Sequence, residues 1–438
     1  MNLIHPADLY NRQVLILGLG SFGGGAGCAR ALHELGAKVT VSDLRPASKL
    51  EESVNSLAGY PIEFVFEEHP ESLFEQADVI VVNPAVPNQS PIWNLARKHS
   101  CELTTEVNLA IAFSAHIKTV AITGTHGKST CASILHHLLG ENTLLAGNLG
   151  GSFLEQVMSK PDLETIVVEM SSFQCERLVA PSGWPHIAIL TCFGADHLDR
   201  HGDLAAYAVA KRRLLEYQDE KCFTLVSGND DESQHWTRAA HGNWMELSNC
   251  NIESFGLTID DLPFHEEFRF PSMFAALQAQ RILKSDGAKL SNWPGLEHRM
   301  QSFTDIYQRK IVNNGVATHP DPTAAALDSI SGKKMLLAGG HDKLLDLSEV
   351  IRAVRKKTRL HLHSAGGARL AQLCSEAGIS SVFHDSFREA AEAALSDLAA
   401  DETLLFSPTF ASFDEFNNFS ERAQLFLKLT EDTPTNRV

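Results

Sequence analysis

Short apolar runs alternate with helical periods along most of the chain. The run Val14-Leu15-Ile16-Leu17 leads into a glycine-rich turn, a helical pattern over 29–35 and then Val39-Thr40-Val41. A further strand, 79–82, stops at Asn83-Pro84, because proline has no N–H to give a neighbouring strand. A second block repeats this rhythm. Thr119-Val120-Ala121-Ile122 precedes another glycine-rich loop and a helix over 129–139, followed by strands at 166–168 and 187–190, an amphipathic helix over 204–217 and a strand at 223–226. The stretch 248–271 is poorly patterned and reads as short strands and loops. From about residue 300 the rhythm resumes, with strands at 335–337 and 403–406 and helices over 322–330, 347–356 and 390–398. Such alternation predicts an α/β protein of mostly parallel sheets joined by helical crossovers. Without an internal repeat, the pattern divides near residues 104 and 298 into 1–104, 105–298 and 299–438.

Composition narrows the class. A chain of 438 residues is too long for one ordinary core. Its apolar runs fall far short of the ~20 residues that span a bilayer. Residues 1–11 lack a basic segment followed by an apolar one, so the expectation is a cytoplasmic protein without membrane insertion. Only the polar tail 430–438 suggests disorder. A formal net charge of -17 argues against a nucleic-acid surface, yet leaves room for a small anion held by a few local donors. The eight cysteines are scattered without a C-x-x-C pair, which argues for reduced thiols over a disulfide framework or a zinc ribbon.

Two loops carry candidate chemistry. Gly18-Leu19-Gly20-Ser21-Phe22-Gly23 sits between a strand and a helix, with Asp43 at the end of the next strand. Glycines there let the backbone approach a phosphate or sugar, and the helix start offers unpaired N–H groups. The pattern alone fits NAD with Asp43 on a ribose, another nucleotide, or a tight turn. Gly124-Thr125-His126-Gly127-Lys128-Ser129-Thr130 is sharper. A lysine and a hydroxyl beside a glycine at a helix start suit ATP: N–H groups cradle phosphate, Lys128 offsets its charge and Ser129 ligates Mg²⁺. It is not a strict Walker loop, since Ile122 stands where that pattern has glycine.

Further motifs follow in order: Gly147-Asn148-Leu149-Gly150, Val168-Glu169-Met170-Ser171-Ser172-Phe173-Gln174, Asp196-His197-Leu198-Asp199-Arg200, Leu296-Glu297-His298-Arg299, and Ser407-Pro408-Thr409-Phe410-Ala411-Ser412-Phe413-Asp414-Glu415-Phe416 with Asn417-Asn418-Phe419. With the second loop, this set resembles the Mur ligases over nearly the whole chain, and its ending is similar to the glutamate-adding branch. The resemblance implies three domains, Rossmann-like first and third around a P-loop-type centre, for UDP-substrate binding, ATP binding and closure over both. It implies ATP-dependent ligation of D-glutamate to UDP-N-acetylmuramoyl-L-alanine through an acyl phosphate, in peptidoglycan synthesis, by a monomer. By the same resemblance Ser21, Phe22, Asp43, Leu44 and Arg45 line the UDP pocket opposite Asn83, Pro84 and Ala85, so UDP replaces NAD there. Asn148 and His197 meet the muramoyl-alanine arm. The ATP set is Gly124, Thr125, His126, Gly127, Lys128, Ser129, Thr130 and Arg299. Ser129 and Glu169 serve one Mg²⁺, and His197 and Lys211 a second. An ammonium group binds no cation, so Lys211 is expected to be carbamylated as in the family; taken bare, Lys211-Arg212-Arg213 reads as a solvated basic face. Lys128, Glu169, His197 and Lys211 are the catalytic set. Thr318 and Lys343 meet one glutamate carboxylate, and Ser412 with the Phe419 backbone the other.

Two segments depart from the family pattern. Asn313-Asn314-Gly315-Val316-Ala317-Thr318-His319 stands where the family has Asn-Asp-Ser-Lys-Ala-Thr-Asn, and Arg269-Phe270-Pro271-Ser272-Met273-Phe274 replaces a Gly-x-His-Asn helix start. Nucleotide contacts expected there do not carry over. The alternatives are a related ligase for L-glutamate or another amino acid, and a UDP-sugar-binding homologue with impaired catalysis.

Overall fold

Each of the continuous apolar runs forms a strand buried on both faces. In a computed structural model, which describes residues 1–228, 230–285, 287–354 and 358–434, these strands assemble into three sheets. The first, entirely parallel, runs Glu63–Phe66, Lys38–Asp43, Gln13–Leu17, Val79–Val82, Glu102–Thr104. The second, also parallel, runs Asn243–Glu246, Phe223–Val226, Ile187–Leu190, Lys118–Thr123, Thr165–Glu169, Thr143–Gly147. The third runs Gln301–Thr304, Lys310–Asn313, Glu402–Thr409, Lys333–Gly339, Thr358–His363, Val382–His384, and only its first pair is antiparallel. The predicted α/β class with mostly parallel sheets is what forms.

The chain divides into two compact units, Met1–His265 with Arg269–Trp293, and Glu266–Phe268 with Pro294–Val438. The first unit holds the first two sheets and the second holds the third. All eight cysteines are free thiols. Among the described residues, no helix is long and apolar enough to cross a membrane.

Three departures from the hydrophobic pattern have physical causes. The helix expected over 204–217 spans Leu204–Arg212 and tightens into a 3-10 turn, Arg213–Leu215, whose adjacent Leu214 and Leu215 are both buried. Residues 248–271 contain no strand; they make 3-10 turns at Ile252–Phe255, Ile259–Asp261 and Glu267–Arg269. The helix Phe270–Leu283 follows, because Pro271 falls in its first turn, where a missing N–H costs nothing. Of the tail expected to be disordered, 430–438, residues 430–432 complete the helix Phe419–Asp432, which has Phe426 and Leu429 in the core and Thr430 buried, and 435–438 lie outside the described residues. Of the predicted helix over 347–356, Ser348–Val354 is observed, and Arg355 and Lys356 lie outside the described residues.

Candidate functional site

Parallel pairing sets the first part of the site. Ile122 is opposite Glu169, so the loop after strand Lys118–Thr123 and the carboxylate at the end of Thr165–Glu169 emerge at the same carboxyl edge. The helix Lys128–Leu139 begins there, directly after Gly127 at φ +85°. A Cβ on Gly127 would lie 2.4 Å from Ser272 Oγ, so this glycine lets the start of Phe270–Leu283 close on the loop. The altered Arg269–Phe274 segment therefore still places a helix start against the second glycine-rich loop. Arg269, buried, stacks its guanidinium 3.9 Å from the Phe264 ring centre.

Within the loop, Lys128 Nζ donates to the carbonyls of Gly124 (3.0 Å) and Thr125 (2.9 Å). Thr125 Oγ1 bonds Gly194 in both directions at 3.0 Å and lies 3.3 Å from the Tyr207 hydroxyl. His126 N–H donates to Cys192 Sγ at 3.3 Å, and Ser129 and Thr130 occupy the first helical turn.

Lys211 is not on a solvated face. It is 1 % exposed, donates to the Gly124 carbonyl at 2.8 Å and lies 4.6 Å from the Tyr207 ring centre. Burial first, then the charge of Lys128, pushes its pKa down to about 7, so a substantial fraction is neutral amine near pH 7. Arg212, by contrast, forms a 3.0 Å ion pair with Glu232. Glu169 is buried; its Oε1 accepts from Asn148 Nδ2 at 3.2 Å, and its Oε2 is buried with no hydrogen-bond partner among the described residues. An orphaned carboxylate oxygen beside a phosphate-type loop fits a divalent cation. Gly147, φ +97°, is required by the same approach: a Cβ there would meet the Glu169 carbonyl oxygen at 2.1 Å. His197, half-exposed in a left-handed conformation, lies against Phe173 (5.0 Å) and Tyr207 (6.3 Å). Part of the Ser171–Gln174 motif is structural, since Ser171 and Gln174 form a reciprocal cap on helix Ser172–Glu176.

In the first glycine-rich loop Asp43 is already engaged. Its Oδ2 accepts from Leu19 N (2.9 Å), Gly20 N (3.4 Å) and Arg45 Nη2 (3.0 Å), and its Oδ1 from Arg45 N and Nε. Burial raises this carboxyl, but the Arg45 contacts and the Gly20 N–H outweigh it and hold it below the usual carboxylate range. A carboxylate so occupied is not an open ribose acceptor, which removes the main support for NAD. Arg45 Nη1 also donates to Ser21 Oγ at 2.9 Å, while Phe22 and Leu44 are largely exposed beside them. Across from this loop Asn83 donates to the Gly18 carbonyl at 3.2 Å and accepts from Ala85 N at 2.9 Å.

Sequence reasoning missed what holds that opposite loop. Arg177, 5 % exposed, donates to the carbonyls of Asn83 (3.0 Å), Pro84 (3.2 Å) and Val86 and to Asn88 Oδ1 (3.0 Å), and stacks on Trp93. Arg200, three residues after His197, donates to Val86 O (2.9 Å), Pro84 O (3.3 Å) and Glu176 (3.1 Å). An arginine between the buried Cys175 and Leu178 was the available signal.

In the second unit Thr318 and Lys343 line one small pocket with His341, Asp342, Thr409 and Phe410. Asp342 is paired with Arg369 at 2.6 Å. The altered Asn313–His319 segment is spent on packing: Asn313 Nδ2 meets His298 Nδ1 at 3.0 Å, and Asn314 Nδ2 donates to Ser407 Oγ at 3.2 Å. Arg299 closes a short turn onto the Leu296 carbonyl. Ser412 is buried, and Phe419 opens the helix capped by Asn418. The loop between Phe410 and Phe419 is fastened by Arg422, which is fully buried and donates to the carbonyls of Gly339 (3.2 Å), Phe410 (3.0 Å) and Ala411 (3.4 Å). Arg422 shares the inward stripe of Ala423, Phe426 and Leu429, where a charge in apolar phase is the sequence signal.

Comparison with known proteins places these observations. A family profile described as Mur ligase MurD-like, N-terminal domain, matches residues 12–105, and one described as Mur ligase middle domain matches 122–273. The UDP-N-acetylmuramoylalanine--D-glutamate ligase of Roseiflexus sp. (strain RS-1) is 31% identical over 467 residues, covering 97% of this chain and 99% of that protein. The Geobacter metallireducens protein of the same name is 31% identical, covering 96% and 97%. Among solved structures, the UDP-N-acetylmuramate-alanine ligase MurC of Thermotoga maritima has the same fold, with a TM-score of 0.61 at 16% identity over 95% of this chain and 99% of that one.

Proposed function

The chain belongs to the Mur ligase family, and from that premise we propose that it joins D-glutamate to UDP-N-acetylmuramoyl-L-alanine at the expense of ATP. The observation that carries this reading is the convergence of Lys128, the buried amine of Lys211 and the orphaned Glu169 oxygen at one carboxyl edge of the central sheet. We assign 1–104 to UDP-substrate binding, 105–298 to ATP and 299–438 to glutamate.

A carboxylate is a poor electrophile, so its oxygen first attacks the γ-phosphorus of ATP, breaking the bond to ADP and leaving an acyl phosphate. The glutamate amine then attacks the acyl carbon, loses a proton, and phosphate departs with its bonding pair. Loop N–H groups and Lys128 orient the triphosphate. Lys128 would exchange its two loop carbonyls for phosphate oxygens. Ser129 and Glu169 would hold one Mg²⁺, and His197 with a carbamylated Lys211 a second; when bound, the ions offset charge between two anionic reactants. A neutral Lys211 amine is the form that adds CO₂, and its depressed pKa supports that modification. Ser21, Phe22, Asp43, Leu44, Arg45 and Asn83 to Ala85 would hold the UDP moiety, with Asn148 and His197 at the muramoyl-alanine arm. Thr318 and Lys343 would hold one glutamate carboxylate, and Ser412 with the Phe419 backbone the other.

The test is phosphate release measured with each component omitted in turn, using both glutamate enantiomers. Release that needs ATP, Mg²⁺, the nucleotide and D-glutamate together is expected. Release with L-glutamate alone would refute the stereochemical assignment, and none with any amino acid would refute the reaction.

A further inference from the structure

Ser412 lies in a single turn closed by Phe416 N–H donating to the Ser412 carbonyl at 2.9 Å. Glu415 belongs to that turn, yet its side chain reaches away to two helix starts. Both of its oxygens accept from Phe387 N–H, at 3.0 and 3.1 Å, and Oε1 also accepts from Ser364 Oγ at 3.0 Å. Phe387 and Ser364 are the first residues of helices Phe387–Asp397 and Ser364–Glu376, where N–H groups lack intrahelical partners and the helix field favours an anion. Ser364 is held at φ +59°, a conformation costly for a side-chain-bearing residue. His363 Nδ1 lies 2.9 Å from the Ser364 hydroxyl, which hands its own proton to the carboxylate. Arg422 fastens the other side of the loop at Phe410 and Ala411, whereas the neighbouring Phe413 is 69% exposed and adds little.

We propose that Glu415 is a positioning residue for the acceptor amino acid, clamping the Ser412 turn to two helix starts so that the Ser412 hydroxyl is already in place when the carboxylate arrives. The inference rests on the reading of Ser412 as part of the glutamate seat. Glu415 acts through the turn and does not itself touch substrate.

Steady-state kinetics on the full chain, with ATP, nucleotide acceptor and glutamate varied separately, test it. Glu415→Ala should raise KM for glutamate about tenfold or more, with the other two KM values within about twofold and kcat less affected. Glu415→Gln keeps an acceptor for Phe387 N–H and should recover most of that loss. Ser364→Gly removes one donor at a backbone angle glycine prefers, so it keeps the fold and should raise the glutamate KM about two- to fivefold. A glutamate KM unmoved in both Ser364→Gly and Glu415→Ala overturns the clamp, as does a parallel rise of all three KM values. If the wild-type chain releases no phosphate in response to any amino acid, the ligase reading fails and the clamp with it. If the wild type saturates with glutamate and the variants match it, only the clamp fails.

Discussion

Replacing Arg177 by methionine keeps an unbranched side chain over Trp93 and removes the four hydrogen bonds that Arg177 gives to the 83–88 loop. Its guanidinium is pushed down to about 10, by burial first and then by the charge of Arg200, and so stays protonated at neutral pH. None of the three carbonyls it serves would be orphaned, because Val86 N–H also donates to Asn83 O, and Arg200 to Pro84 O and Val86 O. The loss is therefore the net worth of four bonds, three to carbonyls and one to the exposed Asn88 side chain, at about 0.5 kcal/mol each, or about 2 kcal/mol. At about 1.4 kcal/mol per tenfold, the nucleotide-sugar should bind roughly 30-fold more weakly. Calorimetric titration of UDP-N-acetylmuramoyl-L-alanine reads this directly, with ATP titrated into the same variant as a control. A shift below about threefold, or an equal loss of ATP affinity, would refute the idea that Arg177 shapes the UDP side specifically.

Gly127→Ala should weaken ATP binding by about tenfold or more, since it adds a left-handed penalty of about 1–2 kcal/mol and a Cβ 2.4 Å from Ser272 Oγ. Ser272→Gly in the same chain should restore part of the loss by calorimetry, and no restoration would mean the collision is irrelevant. Lys211→Ala should lower turnover by at least about 100-fold, with partial rescue by a short carboxylic acid in the phosphate-release assay; undiminished turnover would contradict its placement in the site. Buried His361 and His363 are each pushed down to about 4, by burial first, then by His384 for the former and Arg422 for the latter. Because the unfolded chain then binds more protons, their contribution is complete above pH 6.5 and is lost as pH falls toward 4. Between pH 7 and 5 each should cost about 2 kcal/mol, and His361→Gln should flatten the pH dependence of thermal melts relative to wild type; parallel curves would count against it.

The candidate site was partly visible in the chain because its loops obey local rules. Gly124 to Thr130 needs its glycines for backbone reasons, and Gly147 needs its own because the Glu169 carbonyl approaches it. The departures at Asn313–His319 and Arg269–Phe274 were visible as losses, but what replaced the missing side chains was not. Asn313 and Asn314 turned inward to pack, and Ser272 came against a loop far away in sequence.

Strand positions such as Val79–Val82 and Phe223–Val226 follow from the sequence alone, since a short apolar run between turn residues has few other ways to bury itself. The protonation balance of Lys211, the unshared oxygen of Glu169 and the grip of Arg177 and Arg422 on distant loops were decided only in the folded protein. Desolvation and long-range hydrogen bonding depend on what surrounds a group in space. For these residues, the surroundings come from strands and loops tens of positions away.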